Sequence, residues 1–252
     1  MAEVILEVKD LQKSYGDKKA VDGISFEVKK GETFGILGPN GAGKTTTLEM
    51  IETLRPIDGG IALLDGIDVA KQPQKIKYMI GVQTQSTAFM DKVKLTELLE
   101  QQAAAYGEQI DPMDLLKQVN LEDKASSYVE NLSGGQKQRF SIAAALVHKP
   151  KIFFLDEPTT GLDPQARRRL WDLIKKVQKQ GMTVILTTHY MEEAEVLCER
   201  VAIMDEGKIV ALDSPKKLVQ QLLGRGFSKQ EQIEQANLED VFLDLTGKEL
   251  GR

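Results

Sequence analysis

Cysteine occurs once in 252 residues, at Cys198, and histidine twice, at His148 and His189. One thiol makes no internal disulfide, and one thiol with two imidazoles is too poor a donor set for a structural zinc site, so a reducing compartment is expected. Long apolar runs are also missing. The cleanest stretches, such as IAAALV at 142–147, fall far short of the roughly 20 residues that cross a bilayer. The opening residues, MAEVILEVKD, turn acidic after a few apolar positions and lack the apolar centre of a signal peptide. Nor is there an excess of positive charge. The net charge is −5, with Lys and Arg spread among Asp and Glu, so no overall basic field draws the chain to nucleic acid or anionic lipid. Internal repeats, low-complexity segments and heptad arrays are absent, which argues against a coiled-coil arm. Any membrane role is therefore expected to come through a partner.

The composition that remains, 41% hydrophobic and 28% charged, is that of a globular protein with a full-sized core, hence one large domain with at most a small appendage. VILEVKDLQKSYG and AVDGISFEVKKGE alternate apolar and polar residues and read as half-exposed antiparallel strands. TFGILG reads as a buried strand, followed by helical spacing through TTTLEMIETLR up to Pro56. From about Lys94 to Val147 the pattern is mostly helical, with Asp111 capping one helix and Pro112 in its first turn. KIFFLDE and MTVILTTH are short apolar runs on either side of an amphipathic helix that runs from Pro164 to Gln180 and stops at Gly181. Such alternation predicts an α/β fold with a mostly parallel sheet covered on both faces. VAIMDEGKIVALD predicts a hairpin turning at Glu206 and Gly207, SPKKLVQQLL a helix capped by Ser214, and NLEDVFLDLT an amphipathic stretch in a polar tail.

GPNGAGKTT at 38–46 has the spacing G-x-x-x-x-G-K-[ST], with Gly38, Gly43, Lys44 and Thr45 at the defining positions. Phosphates are crowded with charge, so a site for them must present several backbone N–H donors at close range, and Gly41 and Gly43 supply the conformational freedom. A helix N-terminus follows, Lys44 adds a point charge for the β and γ phosphates, and the Thr45 hydroxyl can bind Mg²⁺. Asn40 and Thr46 complete the candidate loop. An acidic metal partner is expected at the end of IFFLDE. Adjacent strand residues point to opposite sides, so Asp156 and Glu157 should divide the work, the first holding Mg²⁺ through water and the second orienting or deprotonating the attacking water.

A second glycine loop, NLSGGQKQR at 131–139, has a hydroxyl, glycine N–H groups and a helix start but neither lysine nor leading strand. It suits contact with the outer oxygens of a γ-phosphate rather than enclosure of a triphosphate. Ser133 also reads as a plain helix cap, although a cap does not call for two glycines at a helix start, where they weaken it.

NLSGGQKQR, GPNGAGKTT and FFLDEPTTGLD together resemble the ATP-binding subunits of ABC transporters, over nearly the whole chain from Val4 to about Leu222. That resemblance implies a P-loop NTPase cassette over residues 1–223, with an N-terminal antiparallel β subdomain and a helical subdomain at about 86–147, and a short extension at 224–252. It implies that Ser133, Gly134, Gly135 and Gln136 bind the ATP held by a second copy, or a homologous cassette, in a head-to-tail dimer. By the same resemblance Tyr15 stacks on adenine, Gln85 reaches the metal and the attacking water, Asp163 links the two active sites, and His189 holds the γ-phosphate and Glu157. Gln83 competes with Gln85 for its role. TTTLEMIETLRPIDGG and ANLEDVFLDLTGKEL resemble subunits paired with ABC-2 type permeases, so export through a separate permease at the cytoplasmic face of the membrane is the expectation. A non-transport ABC ATPase acting on nucleic acid or ribosomes is the rival, but it usually brings coiled-coil insertions or tandem cassettes. A kinase or GTPase leaves the second loop unexplained and lacks N-K-x-D. The run at Arg167, Arg168 and Arg169 reads as a solvated helix face.

Overall fold

The computed structural model describes residues 3–84, 89–228 and 238–247. Two twelve-residue strands, β1 (Val4–Tyr15) and β2 (Lys18–Lys29), pair antiparallel, and β1 also pairs antiparallel with β4 (Gly59–Leu64), which carries the short β5 (Ile67–Asp68). This is the predicted β subdomain. A six-stranded sheet is ordered β10-β9-β3-β8-β7-β6. In it β3 (Thr33–Leu37), β6 (Ile80–Gln83), β7 (Ile152–Asp156), β8 (Thr183–Thr188) and β9 (Arg200–Asp205) run parallel, and β10 (Lys208–Asp213) pairs antiparallel on β9. The hairpin turns at Glu206 and Gly207, both at positive φ, as its sequence predicts.

The period of two in the central strands divides their side chains between two cores. Phe153 and Leu155 of β7 and Val184 and Leu186 of β8 join one core with α3 (Leu95–Ala105), α5 (Gly134–Ala145) and α6 (Pro164–Lys179). Ile152, Phe154 and Ile185 join the other, with α1 (Lys44–Ile51) and the buried residues of β1 and β2. Both faces of these strands are thus dry, which is why they read as unbroken apolar runs. One face is covered largely by the antiparallel sheet and not only by helices. The remaining helices are α2 (Pro73–Met79), α4 (Pro112–Gln118), α7 (Met191–Leu197), α8 (Pro215–Gly224) and α9 (Leu238–Thr246). Asp111 caps α4 through the Met113 N–H at 2.8 Å, and Ser214 caps α8 through that of Lys217 at 3.3 Å.

Two expectations need correction. α1 ends at Ile51, not near Arg55, because Thr53 takes a left-handed φ of 65° and the N–H groups of Leu54 and Arg55 both turn back to the Glu49 carbonyl. The arginine run is not uniformly solvated either. Arg168 and Arg169 are exposed, but the half-buried Arg167 guanidinium lies 4.5 Å from the Tyr190 ring centroid.

Candidate functional site

The parallel sheet delivers the first glycine loop from the C-terminal end of β3, where ligands of open α/β sheets collect. Gly41 and Gly43 sit at φ of 84° and 102°, conformations that L side chains avoid, and a Cβ on Gly43 would stand 2.2 Å from the Ala20 carbonyl oxygen. Gly38 needs its size for a different reason: a Cβ there would stand 2.2 Å from the Met204 carbonyl oxygen. The loop opens on a cleft of about 630 Å³. Tyr15, Asn40, Gly41, Gly43, Lys44, Thr45, Thr46, Glu157 and His189 line it, together with Lys18, Ala20 and Thr160, which the sequence did not single out.

Lys44 is almost fully buried, and its Nζ donates to the Pro39 carbonyl at 3.1 Å and lies 3.3 Å from Glu157 Oε1. Burial lowers its pKa from the ordinary lysine value, with Glu157 and Asp156 opposing the shift. Asp156, the last residue of β7, accepts from Thr45 Oγ1 at 3.2 Å and from Thr187 Oγ1 on β8. Burial raises the Asp156 carboxyl above the usual carboxylate value, although both hydroxyls favour its charged form.

Glu157 is not separated from Asp156 by strand alternation, contrary to the sequence argument. The strand has ended, and Glu157 adopts a left-handed φ of 47° while its N–H donates to Thr187 Oγ1 at 3.0 Å. That turn puts Glu157 in the cleft beside Lys44, while Asp156 stays buried behind the lining and reaches the loop through Thr45. Glu157 Oε2 also accepts from Thr160 Oγ1 at 3.2 Å and lies 3.2 Å from His189 Nδ1, a close pair not aligned as a hydrogen bond. Burial pushes the Glu157 carboxyl up, but Lys44 and His189 outweigh it and hold it below its ordinary value. Thr187, which holds both neighbours of this acid pair, is a site residue missed by sequence reading. Its signal was the hydroxyl pair closing TVILTTH, where every residue from 183 to 188 is buried.

Tyr15 is 44% exposed, with Lys13 Nζ and the Arg55 guanidinium each 5.7 Å from its ring centroid. Gln85 lies outside the described residues, and its competitor Gln83 is buried with Nε2 donating to the Thr84 carbonyl at 2.7 Å.

The second loop is elsewhere. None of Ser133, Gly134, Gly135, Gln136 or Asp163 lines the cleft. Ser133 caps α5 in a reciprocal box, its Oγ accepting from the Gln136 N–H at 3.4 Å while Gln136 Oε1 accepts from the Ser133 N–H at 2.9 Å. Asp163 caps α6 through the Ala166 N–H at 2.8 Å. The two glycines differ. A Cβ on Gly135 would come 3.0 Å from Ala166 Cβ, so α5 and α6 meet closely there, whereas one on Gly134 would meet nothing within 4 Å among the described residues.

Hard oxygen donors at Thr45 and Asp156 fit a magnesium ion that takes its other ligands from phosphates and water, and among the described residues no cluster of three His, Cys, Asp or Glu offers an all-protein metal cage.

Comparison with known proteins identifies the family. The ABC transporter family model matches residues 21–160. A linearmycin resistance ATP-binding protein of Bacillus subtilis (strain 168) is 41% identical over 225 residues, covering 87% of this chain and 72% of that protein. A Nod factor export ATP-binding protein I of Burkholderia orbicola (strain AU 1054) is 35% identical over 99% of both chains. Among solved structures, an ATP-binding subunit of an ABC transporter superposes with TM-score 0.82 at 29% identity, covering 96% of this chain and 99% of that one. A dimeric ATP-binding cassette in a post-hydrolysis state, bound to ADP and Pi, gives TM-score 0.75 at 28% identity, covering 83% of this chain and 98% of that one. The chain belongs to the ABC transporter family, as an ATP-binding cassette whose chemistry is ATP hydrolysis.

Proposed function

We propose that two copies of this chain, or one copy and a homologous cassette, close head to tail so that Ser133, Gly134, Gly135 and Gln136 of each meet the triphosphate held by the other's 38–46 loop. The observation that carries this reading is the separation of the two loops: the second is absent from the cleft, and Gly134 leaves open a space that none of the described residues uses. Family cassettes dimerise and work with a transmembrane permease. Among the described residues no helix is long and apolar enough to cross a membrane. In this reading the work is passed to a separate subunit, with the cassette peripheral at the cytoplasmic face. Relatives named for export and resistance support an export direction, and an ABC-2 type permease is the partner we favour.

Within each pocket, Gly38, Asn40, Gly41, Gly43, Lys44 and Thr46 cradle the phosphates and Tyr15 stacks on the base. Thr45, Asp156 and Gln85 would hold Mg²⁺, which when bound neutralises charge on the β and γ oxygens. Glu157 is ionised and acts on the attacking water, His189 holds Glu157 and the γ-phosphate, and Asp163 connects the paired sites. Phosphates that engage Lys44 draw from Glu157 one of the two partners that depress its basicity, His189 being the other, so nucleotide binding itself prepares the base. ATP shifts the population toward the closed pair because it binds that state better, and hydrolysis releases it. The cytoplasmic segment of the permease docks beside the end of β6, where a cavity of about 270 Å³ opens between the end of α1, α3 and α5.

The test is Glu157→Gln in saturating ATP, measured by light scattering. A stable dimer with bound nucleotide is expected, and a monomer defeats the proposal. Recovery of the chain with ribosomes or DNA and no membrane protein would instead favour the non-transport reading.

A further inference from the structure

The cavity beside β6 is lined by residues whose polar atoms no described residue satisfies. Glu52, which follows α1, is only 4% exposed, and its Oε1 has no hydrogen-bond partner among the described residues. Opposite walls come from Ala144 and Ala145 of α5 and from Tyr106 and His148, whose rings stack 3.9 Å apart. His148 Nε2 lies 2.9 Å from the Ile80 carbonyl oxygen, and a carbonyl only accepts, so Nε2 carries the hydrogen. Burial lowers the His148 pKa below its ordinary value and keeps the ring neutral, which leaves Nδ1 a bare acceptor, and it too is buried without a partner among the described residues. Two orphaned polar atoms on residues that line one small cavity oppose folding unless a donor from outside the chain, water or a partner's side chain, completes them.

Charge identifies the donor. Burial, then the nearby carboxylates of Asp156 and Glu49, push the Glu52 carboxyl up to about 8, and no cation among the described residues counters them, so the group becomes a carboxylate at neutral pH only when a cation is brought beside it. Lys77 reaches the cavity but is exposed, and among the described residues no ion pair joins it to Glu52. Around the opening stand large exposed apolar side chains: Leu54, 57% exposed, and Tyr78, 59% exposed, with its ring edge-on to Tyr106. An apolar rim around a buried, unpaired acid is the complement of an amphipathic segment with one long basic residue at its centre. A volume of about 270 Å³ admits a side chain but not a helix.

We infer that the cavity receives one cationic side chain, arginine or lysine, from a cytoplasmic segment of the membrane partner, with Glu52 as its counter-ion and His148 Nδ1 as a second acceptor. The inference rests on the docking reading above and deepens it. Cytoplasmic loops of membrane proteins carry an excess of Lys and Arg, so the required chemistry is the chemistry those loops have, and this chain's net charge of −5 favours the encounter.

The experiment compares wild type with Glu52→Gln, which keeps shape and removes the counter-ion. The cassette is purified in detergent with the membrane protein it is co-expressed with, and the partner retained is quantified. Thermal unfolding of the free cassette is followed in parallel, so that loss of partner is not confused with loss of fold. Separately, Gln102→Cys, at the exposed rim, carries a photo-crosslinker, the native Cys198 being buried. About a tenfold loss of partner in a Glu52→Gln cassette that unfolds no earlier than wild type is the expected result. Partner retained within twofold while the Gln102 probe still captures the membrane protein overturns the ion pair and leaves the docking site standing. No capture from Gln102 in the wild type overturns both.

Discussion

The molecule contains two glycine-rich loops, each ending at the start of a helix, and only one of them builds a site within its own chain. The loop at 38–46 issues from a buried strand, and neighbouring strands bring Asp156, Glu157, Thr187 and His189 around it, so its lysine and hydroxyl find acidic partners at 3.2–3.3 Å. The loop at 133–136 follows no strand, is partly exposed, and spends its serine and glutamine on capping α5. The difference teaches that glycine and a helix N-terminus are necessary for holding phosphate but not sufficient. What completes the first site is the convergence of parallel strands at their C-terminal ends. In the head-to-tail pair proposed above, the second loop finds that convergence on another copy.

The comparison is sharpened most by the chemistry of the complete site. Glu157→Gln is expected to slow phosphate release from ATP by about 10²–10⁴-fold while leaving nucleotide affinity within a few-fold. Lys44→Ala and Ser133→Arg form the next contrast. The first should weaken ATP binding to the single protomer by about 10–100-fold, the loss of charge-assisted hydrogen bonds, read by fluorescent nucleotide titration. The second should cut hydrolysis by about 10²-fold and leave that titration unchanged. Equal loss of binding and turnover in Ser133→Arg would erase the distinction between the loops.

Glu52 shows a smaller effect, through pH. Its folded pKa, about 8, lies above the ordinary 4.5, so its protonated form stabilises the fold. That stability is complete below about pH 4.5 and is lost as pH rises through about 8. Glu52→Gln should remove a decline of about 2 kcal/mol between about pH 6 and pH 8 in urea unfolding. A wild-type curve as flat as the variant's would show that the acid is not held neutral. The smallest change comes from the second loop itself. Gly134→Ala meets open space, and should stabilise α5 by about 0.5–1 kcal/mol in the isolated chain while slowing turnover of the pair, whereas Gly135→Ala, crowded by Ala166, should not stabilise it.

Much of the fold was legible because its signals are local. Strand alternation in β1 and β2, apolar runs in β3, β7 and β8, and caps at Asp111, Ser133, Asp163 and Ser214 each rest on neighbours within a few residues. The end of α1 and the buried face of Arg167 were not legible. A turn back to the Glu49 carbonyl and a ring lying under a guanidinium depend on what packs there and not on period. Likewise, Glu157 enters the cleft through a left-handed turn that no strand pattern announces.

By itself the sequence determined the phosphate loop, the order of strands and helices, and the second loop's incapacity to enclose a triphosphate, because each is a property of consecutive residues and their backbone freedom. Tertiary structure alone decided that Thr187 links the adjacent acids Asp156 and Glu157, and that Glu52 and His148 line one cavity. Those meetings join segments far apart in the chain, and which segments meet is decided by the order in which strands assemble and by how the helices bury their apolar faces on them.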